Sequence, residues 1–364
     1  MRVLYFGTYE RAYPRNAQVI SCLRRAGVEV RERHEAVWDG REHKWTAGLS
    51  TVPRLALAEA RLMRRPPGPF DAVIVGYPGH LDLPAARRAA RGRPVVFNPL
   101  VSLGDTLVGD RERFRPGSMA ARALQAIDRR SLRSADLVVA DTSAQADYFA
   151  GLAGLSREQV AVCFVGAEER LFGPGWDPAP PFTCLFVGKL IPLHGLETIL
   201  AAARLAPEIV FRVVGSGQLE VLAAAAVPNV ERLPWIQYER LPDEYRRAGC
   251  ALGIFGTSGK AARVIPNKAY QALACGTPLV TADTPAAREL LQHERDALLV
   301  PPGDAKALAD AVRRLAANPV LRSDMGARGR ATYEAHATED VLGRRWRALL
   351  EALLERWRLP KSEP

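Results

Sequence analysis

Leu185-Phe186-Val187-Gly188-Lys189-Leu190-Ile191-Pro192-Leu193-His194-Gly195 is the stretch on which the fold turns. An apolar run reads as a buried strand, Gly188 lets the backbone turn tightly, and a helical pattern opens directly after Gly195. A strand that feeds a helix through a glycine turn is one half of a βαβ unit, and the same grammar recurs along the whole chain. In the second half, strands are expected at 184–187, 209–214, 251–255 and 278–282, with helices at 195–206, 218–226 and 267–275. In the first half, Val3–Phe6, Ala72–Val75, Pro94–Phe97, Leu137–Ala140 and Val160–Val165 read as strands. Helical stretches such as 54–65 and 118–133 lie between them. Strands alternating with helices predict α/β architecture with parallel sheets.

Residues 166–183 break the rhythm with four Pro and three Gly and read as an interdomain linker. The length of 364 residues fits two domains. The expected division is 1–170 and 171–340, two Rossmann-like domains with their sheets facing across a cleft. A helix at 341–364, carrying Leu342, Trp346, Leu349, Leu350 and Leu353 on one side, is expected to pack back toward the N-terminal domain.

Composition excludes several classes. Hydrophobic residues at 48% and charged residues at 25% describe a globular chain. The net charge is +10, with 44 Arg against only 6 Lys, and it divides as +6 before residue 180 and +4 after it, so it forms no basic tail. Its densest excess runs from Arg54 to Arg93, where eight Arg meet Glu59, Asp71 and Asp82. That stretch suits an anionic membrane surface as well as a solvated face. No apolar run reaches bilayer length, and the start is too short for a signal-peptide core. Five dispersed Cys without a CxxC pair suit a reduced, cytoplasmic setting, with peripheral attachment to the inner face of the membrane as an option. The basic stretches lack the interleaved aromatics of a nucleic-acid binder. Neither half opens with GxGxxG and a downstream acid, which argues against a nicotinamide enzyme.

Three strand-to-helix junctions in the second half carry anion chemistry. At the first, Gly188, Lys189, His194 and a helix N-terminus converge. The second, Val214-Gly215-Ser216-Gly217, is a tight turn where a ligand can approach the backbone. The third is Arg263-Val264-Ile265-Pro266-Asn267-Lys268-Ala269-Tyr270-Gln271, ending in Ala274-Cys275-Gly276-Thr277-Pro278. Pro266 stiffens the approach, and helical spacing puts Asn267, Lys268 and Gln271 at one end, a set suited to a diphosphate with a ribose behind it.

Taken together, these residues resemble the nucleotide-sugar half of the retaining group 1 (family four) glycosyltransferases of the GT-B fold. Gly188-Lys189-Leu190 to Gly195 is similar to that family's G-[RK]-L…G segment, Val214–Gly217 to its V-G-x-G turn, and Ala274–Pro278 to its A-x-G-x-P run. Pro285–Leu290, Asp296–Pro302 and Gly303-Asp304 resemble its closing segment, and Val165-Gly166-Ala167 to Phe172 its N-G-[AV]-D…F passage. The resemblance implies that Lys189 holds the donor diphosphate, that the base lies near Trp235-Ile236, and that Gln271 stands where a Glu holds the donor ribose. The family's other Glu, eight positions earlier, is Arg263 here, and His194 stands where a Lys is common. It also implies transfer from a nucleotide diphosphate sugar with retained configuration and without metal or other cofactor, the leaving diphosphate being stabilised by Lys189, Lys268 and Arg263. Whether the donor is UDP- or GDP-linked stays open.

The first half resembles the family more loosely. Its acceptor-side candidates sit at strand exits: Gly7, Thr8, Tyr9, Arg11, Arg15 and Asn16 after the first strand, His80 after the second, and Ser102 and Asp105 after the third. Asp105 or His80 is the candidate to orient or deprotonate the acceptor hydroxyl. His34 and His43 read as solvated. Asp110-Arg111-Glu112 is the nearest thing to an acidic metal pair, and the Asp-x-Asp of metal-dependent glycosyltransferases is absent. The expected acceptor is a glycan, a lipid-linked sugar or a small molecule. A sugar-nucleotide epimerase or hydrolase, or a non-catalytic nucleotide-sugar-binding protein on the same fold, is the alternative.

Overall fold

The structure is a computed structural model that describes residues 1–11, 13–38, 52–64, 68–223 and 227–359. His43, Arg65 and the end of the expected helix 218–226 lie outside the described residues. The chain divides into two compact units, Met1–Phe164 joined by the segment from Glu339 onward, and Val165–Thr338.

The first unit is built on β1 (Arg2–Gly7), β2 (Glu29–His34), β3 (Ala72–Val75), β4 (Val95–Phe97), β5 (Leu137–Ala140) and β6 (Val160–Val162). They form one sheet in the order β2-β1-β3-β4-β5-β6, every neighbouring pair parallel. Both faces of this sheet are covered. Leu4 and Phe6 join Val73, Val75 and Phe97 in one core, while Val3 and Tyr5 join Ala72 and Ile74 in another. That is why the strands read as unbroken apolar runs rather than alternating ones. β2 is the exception. Its Glu-Val-Arg-Glu-Arg-His sequence reads as no strand, yet it pairs with β1 along its full length at the sheet edge. Charge on an edge strand guards against pairing with other chains.

The second unit holds β7 (Thr183–Val187), β8 (Val210–Val214), β9 (Val230–Leu233), β10 (Cys250–Leu252), β11 (Leu279–Ala282) and β12 (Leu298–Val300). Read from β9, their order is β9-β8-β7-β10-β11-β12, again all parallel. This is the doubly wound dinucleotide-type order, with its direction reversing between β7 and β10. In the first unit the reversal falls between β1 and β3. Each reversal leaves a crevice at the carboxyl ends of the strands, the usual ligand position in open α/β sheets. β9 and β12 likewise do not read as strands: β9 is the charged edge strand Val-Glu-Arg-Leu, and β12 is an apolar edge strand of only three residues.

The Pro/Gly-rich segment 166–183 is part of the second unit rather than a free hinge. Trp176 Nε1 donates to Ala248 O at 2.8 Å, the Asp177 and Ala179 amides pair with Arg246 O and Arg247 O, and Phe172 is fully buried. Pro and Gly serve here to lay an irregular strap along the unit, held by these backbone and side-chain hydrogen bonds and by the buried Phe172.

Helix Glu339–Arg358 lies in the core of the first unit. Leu342, Trp346, Leu350 and Leu353 share a cluster with Val19, Ile20 and Leu23 of helix Pro14–Arg25. Gly343 allows the close approach: a Cβ there would lie 2.4 Å from Cys22 O. Ser21 Oγ donates to Glu339 at 2.7 Å, and Trp357 Nε1 to Gly92 O at 2.9 Å. Truncating Trp346, which is 1% exposed, to Ala should destabilise the first unit by ~3–5 kcal/mol. Urea unfolding followed by a probe in the first unit checks this; a loss below about 1 kcal/mol would mean that the helix is not a core element.

Candidate functional site

At the β7/β10 reversal the three sequence junctions meet. Gly188, at φ +154°, follows β7, and a Cβ on it would lie 2.7 Å from Lys268 Nζ and 3.1 Å from His194 Cε1. The loop after β8 is bound to the loop after β7 by Gly188 N–Val214 O and Leu190 N–Ser216 O, both 2.9 Å. Gly215, at φ +135°, sits so close that a Cβ would stand 2.0 Å from Gly188 O, so no side chain separates the two turns. The loop after β10 closes the other side, with Phe255 N donating to His194 O at 3.0 Å.

Lys268 is the decisive residue. It lies in the first turn of helix Asn267–Cys275, whose N-terminus has Pro266 ahead of it and no side-chain cap. The residue is 6% exposed, its Nζ has no hydrogen-bond partner among the described residues, and the nitrogen rests 3.7 Å from the centre of the Phe186 ring. Burial holds its pKa well below the usual lysine value. A cation–π contact is worth only about 2 kcal/mol when desolvated, too little to replace hydration of an ammonium. The charge is thus uncompensated until an anion arrives. Uncapped helix N–H groups point the same way.

The other donor-side candidates divide by geometry. Lys189 is exposed at the mouth of the crevice. His194 is nearly buried, with Nδ1 2.5 Å from Lys189 O, and meets Phe186 edge-on. Ser216 and Gly217 flank the turn after β8, with Trp235 and Ile236 beyond β9; Trp235 is 69% exposed. Arg263 ends helix Gly259–Arg263, which packs near the Pro192–His194 turn. Gln271 is where the sequence reading needs revising. Its Oε1 accepts from Tyr245 Oη at 3.1 Å and its Nε2 donates to Tyr238 Oη at 3.3 Å, so both ends of the amide are held between two tyrosines. Tyr238 and Tyr245, which flank Phe172, were not picked out by sequence; nothing in their spacing marks them.

The first unit brings Gly7, Thr8 and His80 to the β1/β3 reversal. Thr8 N and Oγ1 both donate to Asp82, at 2.7 and 3.0 Å. Ser102 Oγ donates to Asp128 at 2.7 Å and accepts from Asp105 N at 3.0 Å. Three acceptor candidates have structural work instead. Arg15 is fully buried, bonded to Asn98 Oδ1 and to the carbonyls of Cys163 and Phe164, and so ties β1's exit loop to β4 and β6. Asn16 is saturated: it accepts from Tyr5 Oη and Tyr77 N, and donates to Glu10 O and Tyr77 O. Tyr9 is buried with its hydroxyl 2.8 Å from Glu32, whose carboxylate also takes Arg11. Guanidinium and amide groups in a glycine-led loop look like ligand donors in sequence, but a buried loop needs the same groups for itself. Asp105 opens the wide helical turn Asp105–Asp110. Among the described residues, no three His, Cys, Asp or Glu side chains cluster in a way that would hold a metal ion.

Residues 181–318 match the family described as glycosyl transferases group 1, and residues 2–166 match the glycosyl transferase 4-like domain. Among curated relatives, the chain is 26% identical over 343 residues to D-inositol 3-phosphate glycosyltransferase 1 of Catenulispora acidiphila, covering 84% of this chain and 76% of that protein. Over a shorter stretch of 159 residues, 40% of either chain, it is 32% identical to phosphatidyl-myo-inositol mannosyltransferase of Mycobacterium leprae. Of solved structures, sucrose-phosphate synthase from Thermosynechococcus elongatus superposes with a TM-score of 0.76 at 19% identity, covering 98% of this chain and 99% of that one. Anabaena Alr3699/HepE in complex with UDP-glucose gives 0.68 at 16% identity, with 97% and 100% covered. With two doubly wound parallel sheets, and with the two matches together spanning most of its length, the chain belongs to the group 1 glycosyltransferases of the GT-B fold.

Proposed function

We propose that the chain transfers a glycosyl group from a nucleotide diphosphate sugar to an acceptor hydroxyl, with retained anomeric configuration and without a metal ion. The observation that carries this reading is the buried, unpartnered ammonium of Lys268 beside Gly188 and an uncapped helix N-terminus. A cation held there once the diphosphate is bound, in a water-poor crevice, stabilises the leaving group. Lys189 supplies a second cation at the mouth, His194 lines the turn, and Arg263 extends the positive field. The open face of Trp235 suits a nucleobase. Acceptor attack comes from the face the nucleotide leaves, and the leaving phosphate takes the proton. The named relatives above include an inositol-phosphate and a phosphatidylinositol glycosyltransferase, which supports a phosphate-bearing or lipid-linked acceptor.

Among the described residues no helix is long and apolar enough to cross a membrane. The reading includes a cytoplasmic protein in peripheral contact with an anionic membrane. Helix Val52–Leu62 supports it, since Val52, Leu57 and the following Met63 are exposed beside Arg54, Arg61 and Arg64. The wider basic stretch is not one face: Arg87 is spent on Asp136 and Ser134 O, and Arg93 lies over Phe70.

Replacing Lys268 with Met should lower nucleotide diphosphate affinity at least tenfold, roughly the ~1.5–3 kcal/mol of a charge-assisted hydrogen bond. Because burial depresses its pKa, an arriving diphosphate must raise it, so binding should draw protons from solution. Calorimetry of UDP and GDP binding in buffers of different ionisation enthalpy should show proton uptake at pH values between the depressed pKa of the free protein and the higher one of the complex, and none from this group in K268M. Equal affinity and proton balance in the two proteins would remove Lys268 from the site. Lys189→Ala, at an exposed position, should leave stability within about 0.5 kcal/mol yet lower transfer from a nucleotide sugar panel by about tenfold or more. Product with inverted configuration would overturn retention, and isomerised donor, or donor hydrolysis at the same rate with and without acceptors, would overturn the transferase reading.

A further inference from the structure

Helix Val52–Leu62 is held to the first unit by a narrow stripe. Leu55, Ala58, Glu59 and Leu62 follow one another at the i, i+3, i+4, i+7 spacing of a single helix face, and they are the residues of this helix that are buried or half-buried. Leu62 enters the core that Leu83 and Ala86 of helix Leu83–Ala90 share, and Ala58 is 4% exposed. Every other described residue of the helix is exposed, Val52 and Leu57 among them. With so little apolar surface to anchor it, the helix belongs to the weakly held part of the fold. The position that a fourth apolar residue would take is a carboxylic acid.

Glu59 meets another carboxyl there. It hydrogen-bonds to Asp82, which is 1% exposed. Two ionised carboxylates only accept, so this bond needs a proton on one of them. The neighbours decide which. Asp82 already accepts from Thr8 N at 2.7 Å and from Thr8 Oγ1 at 3.0 Å, and Trp38 Nε1 donates to that same hydroxyl at 3.3 Å. Gly7 comes so close that a Cβ on it would lie 2.1 Å from Asp82 Oδ2. No described donor reaches the buried Glu59 Oε1. The oxygens of Asp82 are supplied with donors and those of Glu59 are not, so Glu59 carries the proton and donates it. Burial first, and then Asp82, push its carboxyl up to about 10.

The other charged groups near this face are engaged elsewhere. On the helix itself Arg61 pairs with Glu35 at 3.4 Å, and Arg54 is exposed, as is Arg64 just beyond its end. From β2, Arg33 donates to Arg61 O at 2.8 Å. From the loop after β3, His80 stands 3.2 Å from Asp128, and on helix Leu83–Ala90 Arg87 is bound to Asp136. Of all these groups only Asp82 acts on Glu59.

We propose that helix Val52–Leu62 is a lid latched by one proton, which Glu59 donates to Asp82, and that the latch weakens steadily as the pH rises. The direction follows from linkage. Docked, Glu59 keeps its proton up to about pH 10; undocked into water, it ionises near the ordinary 4.5. Between those limits opening releases one proton, so each pH unit multiplies the open population by about tenfold. Below the lower limit the latch is at full strength, and above the upper one both forms are ionised and nothing further is lost. The pH sensitivity therefore spans the neutral range, although the docked carboxyl titrates far above it. Leu55 and Asp82 line the same pocket as Trp38 and Thr8, so undocking removes one of its walls.

Native-state hydrogen exchange of the full chain, followed on the amides of this helix from about pH 5.5 to 8.5, tests the latch. Dividing each rate by that of Glu59→Gln at the same pH cancels the pH dependence of the exchange chemistry. Glutamine keeps a donor for Asp82 and has nothing to titrate. The ratio should climb by about tenfold per pH unit, at least a hundredfold over the range, while amides of helix Asn267–Cys275 in the second unit keep a ratio near one. Carbon-13 NMR of labelled glutamate side chains should show one carboxyl still protonated at about pH 8, and none in Glu59→Gln. Should that variant not fold, helix Asn267–Cys275 of the unaltered protein serves as the reference for the exchange rates. A ratio that stays level with pH, an equal climb in both helices, or every glutamate ionised at about pH 8 would each overturn the proposal.

Discussion

An ammonium group taken out of water without a counter-charge sets the terms for the second unit. Keeping Lys268 buried against the Phe186 ring is affordable only because the surrounding backbone is locked in place. Gly188, Gly215 and Gly195 let three strand-exit loops touch backbone to backbone, and the amide ladder between them leaves no slack for the side chain to swing out. Helix Asn267–Cys275, in turn, must enter at Pro266 with its first N–H groups uncapped. The sheet order supplies the place where these demands are compatible, since only at the β7/β10 reversal do neighbouring helices diverge to opposite faces.

The first unit solves a related problem with different chemistry. Its reversal point carries buried carboxyls and an imidazole rather than a cation, and its exit loop is held by Arg15 and Asn16. Those two residues show where sequence reading misleads. A guanidinium and an amide at a strand exit have the chemistry of ligand donors, but here Arg15 is spent on Asn98 and the Cys163 and Phe164 carbonyls, and Asn16 on Glu10 O and Tyr77. The distinction depends on which atoms end up facing inward, and single-chain patterning does not encode that.

Much of the rest was legible because hydrophobic periodicity and glycine placement act locally. The expected helix at 267–275 spans Asn267–Cys275, and the apolar run Ala72–Val75 is β3. Of the strands that escaped detection, β2 and β9 lie at sheet edges, where burial on both faces is not required and charge is tolerated, and β12 is a buried edge strand of only three residues. Lys268 and the strand-exit glycines were also visible, because an anion site needs those residue types at a strand-to-helix junction. The tyrosine clamp on Gln271 and the Asp128 support of His80 were not. Each joins residues more than 25 positions apart, through contacts that follow from packing rather than from spacing.

The C-terminal helix has a consequence for how the molecule comes into being. Val165–Thr338 is continuous in sequence and contains its own core, so this unit can complete itself while the chain is still being synthesised. The other unit cannot. Its helix Pro14–Arg25 emerges early, with Val19, Ile20 and Leu23 exposed until Leu342, Trp346 and Leu350 arrive more than 300 residues later. The apolar face of the earlier helix stays unclosed while the whole of the other unit is made.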